Sequence, residues 1–233
     1  MTRIAVTFAL PAESSEFLAQ LRDKSHADRN GIRIIRGTLG DRDIELLHTG
    51  VGEKVCRRRV EKFLRDQHFE SLISAGFAGA LNDELRVGDL LLARNFSTFD
   101  LNDSRSFSSL PIRTADLLTV PALIDSGGER NEIARSTGAA AVDMETEFIA
   151  RACAEHGIPL LSLRVITDTP HEPFPAPPKV LFDIEQQRTH LLKLVRFLLA
   201  HPNKIPGLVE FARRIARARK TLATALVDVA RNL

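Results

Sequence analysis

Ser74-Ala75-Gly76-Phe77-Ala78-Gly79-Ala80-Leu81 is the stretch from which the fold can be read. It grows out of an apolar run, Leu72 to Ala75, that reads as a buried strand closed by glycines. A strand end without Cβ atoms lets backbone approach a ligand closely. The same unit, a short apolar run followed by a turn and a helix, recurs on both sides. Upstream, Ile4 to Leu10 reads as a strand and Glu13 to Leu21 as a helix. Ile32 to Thr38 and Ile44 to His48 bracket Asp41-Arg42-Asp43 as a hairpin, and Gly52 to Asp66 reads as a helix. Downstream, Leu90 to Ala93 and Ala139 to Val142 read as short strands. Met144 to His156 reads as a helix stopped by Gly157, and Leu160 to Thr167 is the last strand. The segment Asn95 to Thr114, rich in Ser, Asp and Asn, reads as loop. Strands alternating with helices predict an α/β sandwich around a mostly parallel or mixed sheet.

The 233 residues fit one α/β domain, and an apolar share of 44% supplies one large core. With 32 basic against 30 acidic residues the formal charge is +2, which calls for no nucleic-acid partner. Cys56 and Cys153 lie far apart and outside any CxxC or His-rich context. That argues against structural zinc and a disulfide framework and for a reducing, cytoplasmic setting. The first apolar run is too short for a signal peptide or a membrane span.

The last third changes character. Residues 171–178, His171-Glu172-Pro173-Phe174-Pro175-Ala176-Pro177-Pro178, read as an extended linker between a core of residues 1–170 and a helical part of residues 179–233. Two helices are expected there, Val180 to Ala200 and Ile205 to Asn232, parted by Pro202 and Pro206. The second carries Leu208, Phe211, Ile215, Ala218, Leu222, Ala225 and Val229 at alternating spacings of three and four, one apolar stripe. Arg213, Arg214, Arg217, Arg219 and Lys220 lie off it. The stripe is expected to pack on its own domain or on a second subunit. The alternative is a peripheral contact with the inner face of a membrane, since a helix with a basic polar face suits an anionic surface.

Ligands in open α/β sheets collect where strands end and helices begin. The strand ends here carry Glu13, the turn Thr49-Gly50-Val51-Gly52, the glycine stretch at 76–79, and the pair Val142-Asp143-Met144-Glu145 and Arg164-Val165-Ile166-Thr167-Asp168. Singly, each has an ordinary explanation: a Glu at a helix start complements the helix dipole, Asp168 caps a turn before Thr169-Pro170, and Met144 fills core. Together they place several carboxylates at the strand ends of one sheet.

In order, Ala9-x-x-x-Glu13, Gly50-x-Gly52, Ala75-Gly76-x-Ala78-Gly79-x-Leu81, Val87-Gly88-Asp89, Val142-Asp143-Met144-Glu145 and Arg164-x-Ile166-x-Asp168 resemble the motifs of the methylthioadenosine/S-adenosylhomocysteine nucleosidases and related nucleoside phosphorylases. The resemblance runs from Arg3 to Asp168 and implies a three-layer α/β/α sandwich with a mixed central sheet, to which a C-terminal helical pair is added. Asp168-Thr169-Pro170, the proline-rich linker and the basic helices also resemble the hopanoid-biosynthesis-associated phosphorylases, which implies adenosylhopane as a substrate. The resemblance implies roles residue by residue. Glu145 would clamp the ribose hydroxyls, Met144 would pack on the sugar, and Asp143 is expected with them among the substrate-binding residues. Asp168 would protonate the imidazole-ring nitrogen of a purine, adenine for preference, and Glu13 would activate water. Phe77, Ala78 and Gly79, with Leu123 and Ile124 of the segment Thr119 to Ile124, would line the substrate. Leu stands where a stacking aromatic is common in the family. No metal and no cofactor is implied, and a homo-oligomer, a dimer for preference, is expected.

The chemistry fits those roles. Cleaving an N-ribosidic bond builds positive charge on the sugar, and the base leaves poorly as an anion. A proton donor to the base supplies roughly 10²–10⁴-fold. Asp168 must hold that proton in a buried apolar setting, whereas Glu13 must be ionised to accept one from water. Many relatives have Ser or Thr where this chain has Phe77, and in phosphorolytic members that hydroxyl helps bind phosphate. Phe77, with a carboxylate at Glu13, therefore favours water over phosphate as nucleophile. Arg57, Arg58 and Arg59 could offer phosphate a cationic site, but such a run on a helix is ordinarily solvated. A nucleosidase is expected first, a phosphorylase second, and a non-catalytic nucleoside-binding protein third.

Overall fold

The computed structural model describes residues 3–99, 109–124, 126–172 and 201–233. The chain starts on the strand β1 (Arg3–Phe8), whose alternation sends Ile4, Val6 and Phe8 to one face of the sheet and Ala5 to the other. Helix α1 (Pro11–Gln20) follows, then β2 (Arg22–Arg29), β3 (Ile32–Leu39) and β4 (Arg42–His48), which form an antiparallel meander. Helix α2 (Glu53–Leu64) returns the chain to β5 (Ser71–Ala80). Strands β6 (Leu90–Ala93), β7 (Ile112–Ala115) and β8 (Leu117–Thr119) precede helix α3 (Gly127–Thr137). Then come β9 (Ala141–Asp143), α4 (Thr146–Glu155) and β10 (Leu160–Asp168), and the last described element is the long helix α5 (Ile205–Asn232).

The sheet order is β2-β3-β4-β1-β5-β10-β6-β7, with β9 pairing the end of β5 and β8 pairing β9. Strands β4, β1, β5 and β10 run parallel side by side, while β2, β3 and β6 introduce antiparallel pairs, so the sheet is mixed. One face is covered by α1 and α5: Phe17, Leu222, Leu226 and Val229 join Ile4, Val6, Phe8, Ile73 and Leu163 in one buried cluster. The other is covered by α2 and α4, where Cys56, Val60, Phe63, Ile149 and Cys153 meet Ala5, Leu47, Leu72 and Leu160. This is the expected three-layer α/β/α sandwich.

Several elements differ from the sequence reading. Strand β2 has the sequence Arg-Asp-Lys-Ser-His-Ala-Asp-Arg and is exposed along most of its length, so no apolar alternation announces it. It forms because β3 offers a free edge, and its charges blunt the new edge against further pairing. Strand β5 does not close at its glycines but runs through Gly76 and Gly79 to Ala80. Part of the supposed loop before Thr114 is β7. Helix α3 was also unannounced, being mostly polar; Ser126 caps its start by accepting the Glu129 N–H, and Gly138, with φ of 74°, ends it in the left-handed region. The expected helix Val180 to Ala200 and most of the proline-rich linker lie outside the described residues.

In α5 the stripe residues Ala218, Leu222, Ala225 and Val229 are buried against α1 and the sheet. From Ala218 onward the apolar face therefore lies on the protein's own core, while Leu208, Phe211 and Ile215 nearer the start are only partly buried. Four of its basic residues have partners: Arg214 pairs with Glu172, the largely exposed Arg217 and Arg213 with Glu210, and Arg219 donates to the Ala12 carbonyl, while Lys220 is exposed. Among the described residues no helix is long and apolar enough to cross a membrane.

Candidate active site

Because β4, β1, β5 and β10 are parallel neighbours, their carboxyl ends and the turns that follow lie along one edge of the sheet. After β1 the chain turns directly into α1, and Glu13 in the first helical turn folds back over that turn. Its Oε2 accepts hydrogen bonds from the N–H groups of Ala9 (3.0 Å) and Leu10 (3.3 Å). The carboxyl group is buried, and burial pushes it up to about pH 7, against the opposing pull of those N–H groups and of the Arg164 charge.

After β4 the turn passes through Gly50 and Gly52, both in the left-handed region with φ of 77° and 85°. That geometry aims the Gly52 N–H at Glu145 Oε1, 2.9 Å away. Glu145 immediately precedes α4 and is also buried. Burial, then the negative charge of Asp143, raise its carboxyl well above the usual range. Glu13, Glu145 and Phe77 line one cleft, together with Thr7, Gly76 and Arg164. The buried Thr7 hydroxyl in this cleft has no hydrogen-bond partner among the described residues.

Arg164, midway along β10, is nearly inaccessible, and all three of its guanidinium nitrogens are engaged. Nε and Nη2 donate to Asp143 Oδ2 (3.1 and 3.0 Å), Nη1 to the carbonyls of Ser74 and Leu163, and Nη2 also to Ser74 Oγ and Thr146 Oγ1. Asp143 in turn accepts from Thr119 Oγ1 (2.9 Å), the Thr146 N–H and the Thr146 hydroxyl. The Asp143 carboxylate is thus directed at protein partners, an internal brace under the cleft.

Asp168 closes β10 opposite Gly79 of β5. Its Oδ2 pairs with Arg130 and its Oδ1 accepts from Thr167 Oγ1 at 2.9 Å. Burial raises its carboxyl, and Arg130 is the leading influence in the other direction. Gly79 leaves room for this pair: a Cβ there would stand 2.8 Å from Asp168 Oδ2 and 3.2 Å from Arg130 Nη1. Arg130 is the residue that sequence reasoning missed. It is the sole buried residue of α3, and an Arg in a mostly polar helix gives no local sign that it points inward.

The remaining expected residues divide by exposure. Ala78 and Met144 are buried, Ile124 is buried with its carbonyl bound to Arg130, and Leu123 is 39% exposed. Glu13, Phe77 and Glu145 therefore share one cleft, while Asp168 sits at the Gly79 end of the same two central strands, beside Ile124 through Arg130. Among the described residues no group of three or more His, Cys, Asp or Glu side chains is arranged to hold a metal ion.

A mixed α/β/α sandwich with buried carboxylates at the ends of its parallel strands matches one superfamily at the level of sequence. The sequence model of the phosphorylase superfamily matches residues 3–126 and 110–200, and the chain belongs to that superfamily. Within it, the chain is 25% identical over 197 residues to the 5′-methylthioadenosine/S-adenosylhomocysteine nucleosidase of Glaesserella parasuis, covering 71% of this chain and 85% of that one. It is 24% identical over 194 residues to a DeoD-type purine nucleoside phosphorylase of Clostridium perfringens, covering 71% and 83%. The solved structure of a 5′-methylthioadenosine/S-adenosylhomocysteine nucleosidase from S. pneumoniae, with a transition-state inhibitor, has the same fold, with a TM-score of 0.71 at 17% identity over 98% of both chains.

Proposed function

We propose that the protein is a nucleosidase that cleaves the N-ribosidic bond of a purine nucleoside with water. In this reading Glu13 takes a proton from the attacking water, Glu145 accepts hydrogen bonds from the ribose hydroxyls, and Asp168 gives a proton to the leaving base. Phe77, Ala78, Gly79, Met144, Leu123 and Ile124 form the walls around sugar and base. Asp143 acts through Arg164, holding the strand ends under the cleft. Both nucleosidases and a phosphorylase are among the relatives, so the choice of nucleophile rests on the cleft itself.

The observation that carries the choice is the state of the cleft's cation. Arg164 has each of its nitrogens bound to protein groups, Phe77 offers no hydroxyl, and two carboxylates line the same space. A phosphate dianion entering there would meet like charge without a free cation among the described residues that line the cleft, whereas water needs only an acceptor. A buried carboxylate titrating near neutrality is suited to that work, since a base is most effective when its pKa is near the working pH. The finer reading is that the ribose carries a large apolar 5′ substituent, adenosylhopane being the case implied by Asp168-Thr169-Pro170 and the C-terminal sequence.

Free-base release from adenosine, 5′-substituted adenosines and inosine, with and without phosphate, tests both levels. Phosphate-independent release of base and free ribose is expected. Formation of ribose 1-phosphate at a rate that rises with phosphate would instead make the protein a phosphorylase, and binding without release would make it a nucleoside carrier. A preference for small 5′ groups over apolar ones removes the finer reading.

A further inference from the structure

Arg130 is only 2% exposed, yet α3, which carries it, is otherwise a surface helix. Burying a guanidinium is expensive unless every donor finds a partner and a negative charge lies close. Here Nη1 donates to the Ala80 carbonyl at 2.9 Å, and Nε and Nη2 donate to the Ile124 carbonyl at 3.0 and 2.7 Å. Nη2 also pairs with Asp168 Oδ2. One side chain thus joins three places: the end of β5, the segment carrying Leu123 and Ile124, and the acid at the end of β10. The counter-charge that its burial demands is the carboxylate at the end of β10, so the pair that keeps Arg130 inside also acts on the charge of that acid.

We propose that Arg130 is a positioning residue for proton transfer to the leaving base, holding the carboxylate that Asp168 becomes and tying it to the base-binding wall at Ile124. This inference rests on the nucleosidase reading above. In the proposed step, neutral Asp168 carries its proton on Oδ1, the oxygen that Arg130 does not hold. As the C–N bond breaks, its electron pair goes to the base, and the Asp168 proton passes to the ring nitrogen, so the base leaves neutral. Water adds to the sugar carbon and loses a proton to Glu13. Asp168, now a carboxylate, is held by Arg130 and Thr167 until solvent returns its proton.

Among the described residues, the charged groups acting on Asp168 are few. From α3 there is Arg130; from α5, Arg214 contributes a weaker pull and is itself paired with Glu172. Strand β5 presents only Gly79. Burial makes Asp168 a poor donor by favouring its neutral form, and Arg130 restores its acidity by favouring the product carboxylate. Arg is suited to this role because its planar fork can serve a carbonyl and a carboxylate at once and stays charged at any working pH.

The test compares pH profiles of kcat for wild type, Arg130→Met and Arg130→Lys on two substrates: a purine nucleoside and a nitrophenyl riboside, whose leaving group needs no proton. Arg130→Met is expected to move the alkaline limb for the purine nucleoside up by about 1 pH unit or more, the effect of losing a close opposite charge. Its turnover near neutral pH should fall about tenfold or more on that substrate and stay within about twofold on the riboside. Arg130→Lys should bring the limb back toward the wild-type position. If Arg130→Met does not fold, Arg130→Gln, which keeps donors but no charge, takes its place. An unmoved limb with equal losses on both substrates makes Arg130 a structural fastener and overturns the inference. If Asp168→Asn abolishes base release while the Arg130 variants keep the wild-type limb, this inference alone falls; if folded wild type releases no base, the nucleosidase reading falls with it.

Discussion

Replacing Glu13 by glutamine is expected to make the protein more stable at alkaline pH while removing its activity. The Glu13 carboxyl rises from 4.5 to about 7 on folding, chiefly because burial disfavours its charge. A group whose folded pKa is raised contributes stability below its unfolded pKa and loses it as pH climbs through the folded one. The wild type should therefore weaken between about pH 4.5 and 7 and level off above. At 1.36 kcal/mol per pH unit, the full cost of ionising Glu13 is about 3 kcal/mol. Glutamine does not titrate, and its carbonyl can still accept from the Ala9 and Leu10 N–H groups. For a chain of this length, each kcal/mol moves Tm by roughly 2–4 °C, so the variant should melt about 6–12 °C higher at pH 8.5 and level with wild type near pH 4.5. Thermal unfolding followed by circular dichroism at both pH values measures the difference, and base release should fall roughly 10²–10⁴-fold. A variant no more stable than wild type at pH 8.5, or a difference that does not change with pH, would falsify the claim that Glu13 is held in the fold against its own ionisation.

Other consequences follow from particular contacts. Gly79→Ala puts a Cβ 2.8 Å from Asp168 Oδ2; it should displace the acid, cut base release at least about tenfold and cost about 1–3 kcal/mol in denaturant unfolding. A carboxylate clamping two hydroxyls should disfavour 2′-deoxynucleosides by roughly 1–3 kcal/mol in kcat/KM, and Glu145→Gln should narrow that discrimination; equal rates on ribo- and deoxyribonucleosides would remove Glu145 from the role. Leu226→Ala, at a fully buried position of α5, should cost about 2–5 kcal/mol, whereas Leu208→Ala near the partly exposed start of the helix should cost far less; the two chevron or melting shifts decide whether α5 is core.

The alternation of apolar runs with helical patterns determined the class of fold, because burial of both faces of a parallel sheet leaves that signature in the residues themselves. The same holds for the motifs: Glu13, Gly52, Glu145 and Asp168 stand at the ends of strands or helices whose apolar patterns mark those ends, so their positions on the sheet edge were legible. Strand β2 was not legible, since an exposed edge strand takes its structure from the neighbour that pairs with it and needs no pattern of its own. The covering of α5 was undecided as well; its stripe demanded a partner, and only the packing against α1 and the sheet supplied one. Which carboxylates keep free oxygens was likewise a matter of three dimensions. Asp143 and Glu145 are two residues apart, yet one carboxylate is spent on Arg164 and Thr146, and the other lines the cleft and accepts the Gly52 N–H. Arg130 marks the limit most clearly. Its distance of 38 residues from Asp168 carries no local signal, and its role arises only because α3 folds back over the end of β5 and brings a buried cation to a buried acid.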